Sequence, residues 1–217
     1  MKKNNRYLYP VLVCMTMAGL FSCKKASYVT DGGLAKAKTS LTTYDYLKQQ
    51  PYHYFDTTIA IIDHFNLKDS VNKSGTFFAF TDYAINQFMT TNGLSSMEQL
   101  YDSISSKFVT QYMFSETITL DNATTYAIEH TSWSGNADTC AIRKLQQSYN
   151  INLTNSSPAF NYYVLQYIKV NGVLDGSAGA PANDPADLVL PCQTTGIETS
   201  SGTTLHVLVN NAILNKL

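Results

Sequence analysis

The spacing of hydrophobic and polar positions changes near the middle of the chain. In the first half, apolar residues recur at helical spacing, as Ile59, Ile62 and Phe65 do after the helix-start residue Asp56. From residue 117 onward, β-branched and aromatic residues alternate or cluster, as in residues 162–170 and 204–209. The pattern therefore predicts an α+β fold, with helices concentrated in the N-terminal half and strands in the second half.

Further helices are predicted from start and stop residues. One begins at Thr42 or Thr43 and ends at Pro51, and another runs from Ser96 with its apolar face continuing to Tyr112. The dense aromatic run Tyr52-His-Tyr-Phe55 lies between the first two helices. We expect Tyr54 and Phe55 to pack the second helix against the core, the alternative being an exposed binding cluster.

One buried strand is predicted inside the helical half, at residues 76–80, and a helix carrying Ile85 and Phe88 follows it directly. Thr81 and Asp82 lie between the two elements. A side-chain oxygen at a helix start satisfies free backbone N–H groups and contributes about 1 kcal/mol. We therefore predict that Thr81 and Asp82 join the strand to the helix, the alternative being a polar contact in a partner site.

The N-terminus has the pattern of an export signal. Residues 1–6 are basic, and residues 7–21 are uncharged and mostly apolar, which is shorter than the roughly 20 residues of a membrane span. The run ends at Leu-Phe-Ser-Cys23, which resembles a bacterial lipobox. We predict a signal peptide at 1–22, lipidation of Cys23, a tether at 23–40 and one domain at 41–217. The alternative is a plain secretory signal with a chance cysteine.

Composition supports a location outside the cytoplasm. Charged residues make up 14% of the chain, against roughly 25% in typical soluble domains, and the formal net charge is −1. With no basic stripe, nucleic acid is not an expected partner. Cys140 and Cys192 form an even pair beyond the signal and Cys23, which predicts a disulfide in an oxidising compartment; the alternative is two buried free thiols.

Motifs of enzyme or cofactor chemistry are not found in the sequence. It contains no GxSxG, HExxH, CxxC or phosphate-binding glycine loop, and its four histidines lack metal-ligand spacing. We therefore expect no enzyme activity, cofactor or metal. His206 lies in a predicted strand, where we expect a hydrogen-bonded structural role. Trp133 lies in a polar loop at residues 131–135 and is the main candidate for binding a sugar ring or a protein partner, the alternative being that it covers an edge of the core.

Two separated segments resemble the signatures of fasciclin domains. Residues 76–85 (TFFAFTDYAI) resemble the first signature, and residues 197–208 (IETSSGTTLHVL) resemble the second. Phe80 replaces a frequent proline, and Val209 stands near the usual aspartate. Tyr112-Met113 occupies the place of a Tyr-His dipeptide associated with adhesion in animal members, so Tyr112 is a second binding candidate. The segment 129–148 has no counterpart in the pattern.

The resemblance implies a fasciclin-like β-sandwich or wedge and a role in adhesion or assembly. Together with the lipobox, it predicts a non-enzymatic interaction lipoprotein of the bacterial outer membrane, of the Bacteroidetes type, that binds an envelope or extracellular protein or a polysaccharide. Its face, periplasmic or cell-surface, stays open. The alternative is a glycan-binding accessory lipoprotein of an outer-membrane uptake system.

Overall fold

The computed structural model describes residues 38–135, 139–150, 159–178 and 180–214. The predicted signal peptide, Cys23 and most of the predicted tether lie outside these residues. The described part combines six α-helices, all before residue 111, with a seven-stranded sheet, which confirms the predicted α+β class. Lys38 and Thr39, which were predicted to belong to the tether, are bound to the sheet. The Thr39 N–H donates to the Glu198 carbonyl at 3.0 Å, and Lys38 forms an ion pair with the Glu198 carboxylate.

The helices are short, and side-chain caps begin two of them. Thr42 accepts from the Asp45 N–H before the first helix, and Ser96 accepts from the Gln99 N–H before the fifth. A short 3-10 turn, Pro51–His53, follows the first helix. The helices are α1 Thr43–Lys48, α2 Asp56–His64, α3 Lys68–Lys73, α4 Asp82–Thr91, α5 Met97–Ser103 and α6 Lys107–Thr110.

The run predicted as one helix from Ser96 to Tyr112 is divided into α5 and α6. Ile104 between them is extended, at φ −125° and ψ 170°. The Ser105 hydroxyl accepts from the Lys107 N–H at 3.3 Å, so a side chain replaces a helical backbone bond at the break.

The seven strands form one sheet in the order β2-β1-β7-β6-β5-β4-β3. The neighbours β1 and β7 are parallel, with Thr76 opposite Thr204, and the other neighbouring pairs are antiparallel. The strands are β1 Thr76–Ala79, β2 Met113–Phe114, β3 Ile128–Thr131, β4 Thr139–Asn150, β5 Ala159–Lys169, β6 Leu188–Glu198 and β7 Thr204–Leu208.

The two edge strands approach each other, so the sheet is nearly closed. The Trp133 N–H, just after β3, donates to the Met113 carbonyl of β2 at 2.9 Å. The His130 ring of β3 also contacts Phe114 of β2, with ring centroids 6.2 Å apart. The segment 129–148, which the sequence pattern left unexplained, therefore supplies one edge of the sheet and most of β4.

The core is built on aromatic residues around β1, every residue of which is buried. Phe78 contacts Phe114 and Tyr167, and Tyr112 contacts Phe80 and Tyr167, with ring centroids 5.0–5.7 Å apart. Burial raises the pKa of the Tyr112 phenol far above its usual value. The prediction of Tyr112 as a surface binding residue is therefore wrong, because its ring fills the core.

The predicted disulfide between Cys140 and Cys192 is not formed; both are buried free thiols. Cys140 lies on β4, Cys192 lies on β6, and β5 runs between them. Adjacent strands are about 4.8 Å apart, so residues two strands apart exceed the Cα separation of about 4.4–6.8 Å that a disulfide allows. Burial raises the pKa of the Cys140 thiol to about 12, and its Sγ–H donates to the His130 carbonyl.

Candidate binding site

The site is built on the joint between β1 and α4. Both Asp82 carboxylate oxygens accept from the Thr57 N–H, at 2.9 and 3.0 Å, and one accepts from the Thr58 N–H at 3.2 Å. These two N–H groups belong to the first turn of α2. A carboxylate at that end also interacts favourably with the helix dipole. Asp82 therefore caps α2 rather than the helix it begins.

Thr81 has the backbone position of the α4 N-cap, but its side chain makes no capping hydrogen bond. The predicted joint thus lies where the sequence placed it, whereas the predicted capping chemistry is wrong. Two further bonds tie the joint to α2: the Asp82 N–H donates to the Tyr54 carbonyl at 2.9 Å, and the Thr58 hydroxyl donates to the Phe80 carbonyl at 2.8 Å. These contacts fix the backbone of Tyr54.

The residues just before Tyr54 have an unfavourable backbone conformation. Tyr52 and His53 both lie in the left-handed region, at φ 64° and 57°, and neither is glycine. Such residues cost of order 1–3 kcal/mol each and cluster at functional sites. The conformation turns the Tyr52 side chain outward, where it is 80% exposed.

Three tyrosines form an exposed cluster, which we call the tyrosine surface: Tyr52, Tyr54 and Tyr83. Tyr54 lies in the middle, with its ring centroid 6.1 Å from that of Tyr52 and 6.2 Å from that of Tyr83. Tyr54 is 37% exposed and Tyr83 is 56% exposed. The prediction that Tyr54 and Phe55 pack α2 holds for Phe55, which is buried, and only in part for Tyr54.

A cavity of about 250 Å³ adjoins the tyrosine surface, and we call it the polar cavity. It opens between α1, the 3-10 turn and strands β6 and β7, and Tyr54 belongs to both the cavity and the surface. None of its lining residues is charged. They are Tyr46, Gln50, Tyr54, Phe55, Thr81, Gln193, Thr194, Ile197, Val207 and Asn210.

The polar side chains of the cavity keep part of their hydrogen-bonding capacity unused. The Thr81 hydroxyl is buried and is the one such side-chain oxygen or nitrogen without a partner among the described residues. The Gln193 amide donates to the Asn210 side-chain oxygen at 3.2 Å, and the Gln50 amide donates to the Tyr46 carbonyl at 3.2 Å. A buried hydroxyl without a partner costs free energy.

Trp133, the main candidate from sequence, lies at a different place, where the sheet edges meet. Its Nε1–H donates to the Ser115 hydroxyl at 2.9 Å, and its backbone N–H bonds to β2. The side chain is 37% exposed. Its one polar atom is thus used within the protein, and the ring covers the contact between β2 and β3.

Three of the four histidine rings are bonded to carboxylates or to the backbone, and the fourth, His64, is stacked on Tyr101. His130 pairs with Glu116 beside a second cavity of about 200 Å³, and His53 pairs with Asp56 at the surface. His206 donates from Nε2 to the Ile118 carbonyl at 2.9 Å and accepts at Nδ1 from the Gly196 N–H at 3.2 Å. Burial lowers the pKa of His206 to about 4, so the ring is neutral at pH 7.

Comparisons with known proteins assign no family. No protein-family model matches the chain, and a comparison with curated proteins finds no significant relative. In the described ranges, no three His, Cys, Asp or Glu side chains come together as a metal site, and no helix has the length and apolarity needed to span a membrane. The two segments that resemble fasciclin signatures contain β1 and β7, which are parallel neighbours in the sheet.

Sequence reasoning gave an exposed binding cluster in the run Tyr52-His-Tyr-Phe55 only as the alternative, and it did not include Tyr83 in that cluster. The available signal was the dense run of tyrosines after Pro51, together with Tyr83 directly after Asp82. These two stretches are distant in sequence, and the Asp82 cap on α2 brings them together. The polar cavity carried no sequence signal, because its residues come from four separate stretches of the chain.

Proposed function

We propose that this protein is a lipid-anchored, non-enzymatic binding protein of the bacterial outer membrane, and that it recognises an envelope or extracellular partner through the tyrosine surface. The observation that carries the proposal is the exposure of Tyr52, Tyr54 and Tyr83 as one cluster beside an uncharged cavity. Tyrosine offers a large contact area with little side-chain entropy to lose, so it is enriched at the energetic centres of interfaces.

Two further features support this reading. The left-handed backbone at Tyr52 and His53 keeps Tyr52 exposed at a cost in stability, which is expected of a residue retained for contact with a partner. The lipobox at Cys23 and the low charge content support anchoring outside the cytoplasm. The resemblance of residues 76–85 and 197–208 to fasciclin signatures supports adhesion, by analogy of fold.

A second candidate is an accessory lipoprotein that captures glycans for an outer-membrane uptake system. The observation that favours it is the lining of the polar cavity, which combines tyrosine rings with neutral amides and hydroxyls. Both proposed functions use the tyrosine surface and differ only in the chemistry of the partner. The same variants of that surface therefore test both functions.

The test measures retention of the full-length, lipid-reconstituted chain on immobilised polysaccharides and on an immobilised outer-membrane protein fraction. We expect the Tyr52→Ala/Tyr83→Ala double variant to lose at least 10-fold in apparent affinity for whatever retains the wild type. Both side chains are exposed, so folding should be unaffected. Tyr126→Ala is the matched control, because Tyr126 is 67% exposed at another place on the domain.

Equal retention of the double variant and the wild type would remove the tyrosine surface as the site. A loss of the same size in Tyr126→Ala would show non-specific adsorption. Failure of the wild type to bind any of the immobilised partners would contradict the proposed function as a whole.

A further inference from the structure

We propose that residues 159–165 of β5, which we call the β5 edge, bind a second copy of this chain. The two copies pair in antiparallel orientation about a twofold axis at Tyr163, so that their sheets join through β5. The β5 edge contains no residue of the tyrosine surface or of the polar cavity. Dimerisation is therefore independent of the proposed function and goes beyond it.

Strand β5 extends beyond its pairing with β6. Its residues 166–169 pair with β6, and from Cys192 onward β6 pairs with β7 instead. Residues 159–165 pair with β4 on one side, and within the described ranges no strand pairs with them on the other side. The side chains of Tyr162 and Tyr163 are exposed. The β5 edge thus presents backbone N–H and C=O groups to which a further strand can bond.

The β5 edge lacks the features that keep edge strands from pairing with other chains. Such edges usually carry a charge, a proline or a bulge. The sequence here, Ala-Phe-Asn-Tyr-Tyr-Val-Leu, has no charge and no proline, and its register with β4 is continuous. The two cations of β4 are bonded within the chain: Arg143 donates to the Gln166 side chain at 2.8 Å, and Lys144 donates to the Leu120 carbonyl at 3.0 Å. A second copy therefore meets no charged residue on the strand that it joins.

The β5 edge is also complementary to itself. A twofold axis at Tyr163 places this residue opposite its own copy, and it places Tyr162 opposite Val164 of the second copy. Aromatic–aromatic and aromatic–β-branched pairs stabilise neighbouring antiparallel strands. Each copy then uses the same residues, as a closed twofold dimer requires. One pair of seven-residue strands is small beside the roughly 1,200–2,000 Å² of a stable interface, so we expect a weak, concentration-dependent dimer.

The first test is sedimentation of the full-length chain in detergent over a range of concentrations. We expect a monomer–dimer equilibrium that Tyr163→Glu weakens at least 5-fold, because two like charges would face each other at the axis. In the monomer the new carboxylate would lie near Lys144, whose Nζ is 5.5 Å from the Tyr163 ring centroid, so folding should be retained. Tyr126→Glu, at an exposed position before β3, is the control and should dimerise as the wild type does.

The second test measures the register by disulfide cross-linking with copper phenanthroline and oxygen as the oxidant. Facing residues of antiparallel strands have Cα atoms about 4.5–5.5 Å apart, which a disulfide can bridge. Tyr163→Cys should therefore cross-link two copies at least 5-fold more than Tyr126→Cys. Asn161→Cys is the control on the same strand: its two copies would be four residues out of register, or about 13 Å apart, and should not cross-link.

The outcomes separate self-pairing from other uses of the β5 edge. A chain that stays monomeric at every concentration would overturn the proposal, as would species larger than a dimer or equal cross-linking of Asn161→Cys and Tyr163→Cys. A monomer that loses retention on outer-membrane protein in Tyr163→Glu would assign the edge to a partner strand and would also overturn self-pairing. The Tyr52→Ala/Tyr83→Ala variant should dimerise as the wild type does, so failure of the proposed function leaves this result unchanged.

Discussion

Tyr54 and Trp133 are equally exposed, yet their surroundings give them different roles. Each leaves 37% of its surface open to solvent. The side-chain N–H of Trp133 donates to Ser115 and its backbone N–H donates to Met113 of β2. Trp133 therefore connects the end of β3 to β2 at the two edges of the sheet. Tyr54 has exposed tyrosines on both sides and an uncharged cavity beside it. Exposure of an aromatic ring therefore does not identify a binding residue until the partners of its polar atoms are known.

The supports under the two regions also differ. The tyrosine surface rests on a helix terminus held by the Asp82 carboxylate, with strained backbone at Tyr52 and His53. The Trp133 region rests on the segment after β2, where Ile118 is bonded to His206 inside the core. One region is thus supported by a helix-capping carboxylate and the other by a buried, neutral histidine, so substitutions at the two supports break different contacts.

The largest expected effect is a loss of stability in mild acid through His206. Its pKa falls from 6.5 unfolded to about 4 folded, so the unfolded state binds the extra proton first. The contribution is fully present above pH 6.5 and is lost as the pH falls from about 6.5 towards 4, up to about 3 kcal/mol. Urea unfolding at pH 7.5, 6, 5 and 4 measures it.

The control is His206→Gln, which retains an amide that can donate and accept but does not titrate. It should be less stable than the wild type at pH 7.5 and show a shallower loss between pH 6.5 and 4. An unchanged slope in this variant would assign the acid sensitivity to other groups.

A smaller effect is expected at the support of the tyrosine surface. Asp82→Ala removes the acceptor for the Thr57 and Thr58 N–H groups and should lower the free energy of unfolding by about 2 kcal/mol. It should also weaken partner binding, because α2 and Tyr54 lose their common anchor. Asp82→Asn retains one acceptor oxygen, so its free energy of unfolding should lie between those of Asp82→Ala and the wild type. If Asp82→Ala is as stable as the wild type, the Asp82 cap does not contribute to the free energy of unfolding.

The smallest effect is expected at Trp133. Trp133→Phe keeps a ring over the sheet edges and removes the hydrogen bond to Ser115, which should cost about 1 kcal/mol in the free energy of unfolding. Binding to the partner of the tyrosine surface should be unchanged within twofold. A clear loss of binding with unchanged stability would contradict the structural role of Trp133 and identify it as a residue that contacts the partner.

The parts of the fold that were predictable were those with local signals. Thr42 and Ser96 cap helices as their sequence contexts indicate, and the apolar run at 76–80 contains a strand. Strand β6 was missed because Pro191 and Gly196 look like strand breakers. Pro191 instead lies where β6 changes its partner from β5 to β7, and Gly196 lies in a bulge at φ 77°.

Of the candidate site, the sequence indicated only the dense aromatic run at Tyr52-His-Tyr-Phe55. Asp82 is separated from α2 by a complete helix and strand, so no local pattern indicates which helix it caps. The polar cavity joins Gln50 and Thr81 to Gln193 and Asn210, and the tertiary fold, not a local pattern, brings these residues together. Tyr112 was misassigned because a tyrosine after a helix has the same local sequence whether it turns inward or outward.

The parallel pairing of β1 with β7 has a consequence for how the chain acquires its structure. Thr76 of β1 is opposite Thr204 of β7, so this pairing joins two segments that lie far apart in the sequence. Contacts of such long sequence separation slow folding, because the intervening loop must close first. Before β7 pairs, the described strands form two separate groups, β1 with β2 and β3 to β6, so β7 is the strand that joins them into one sheet.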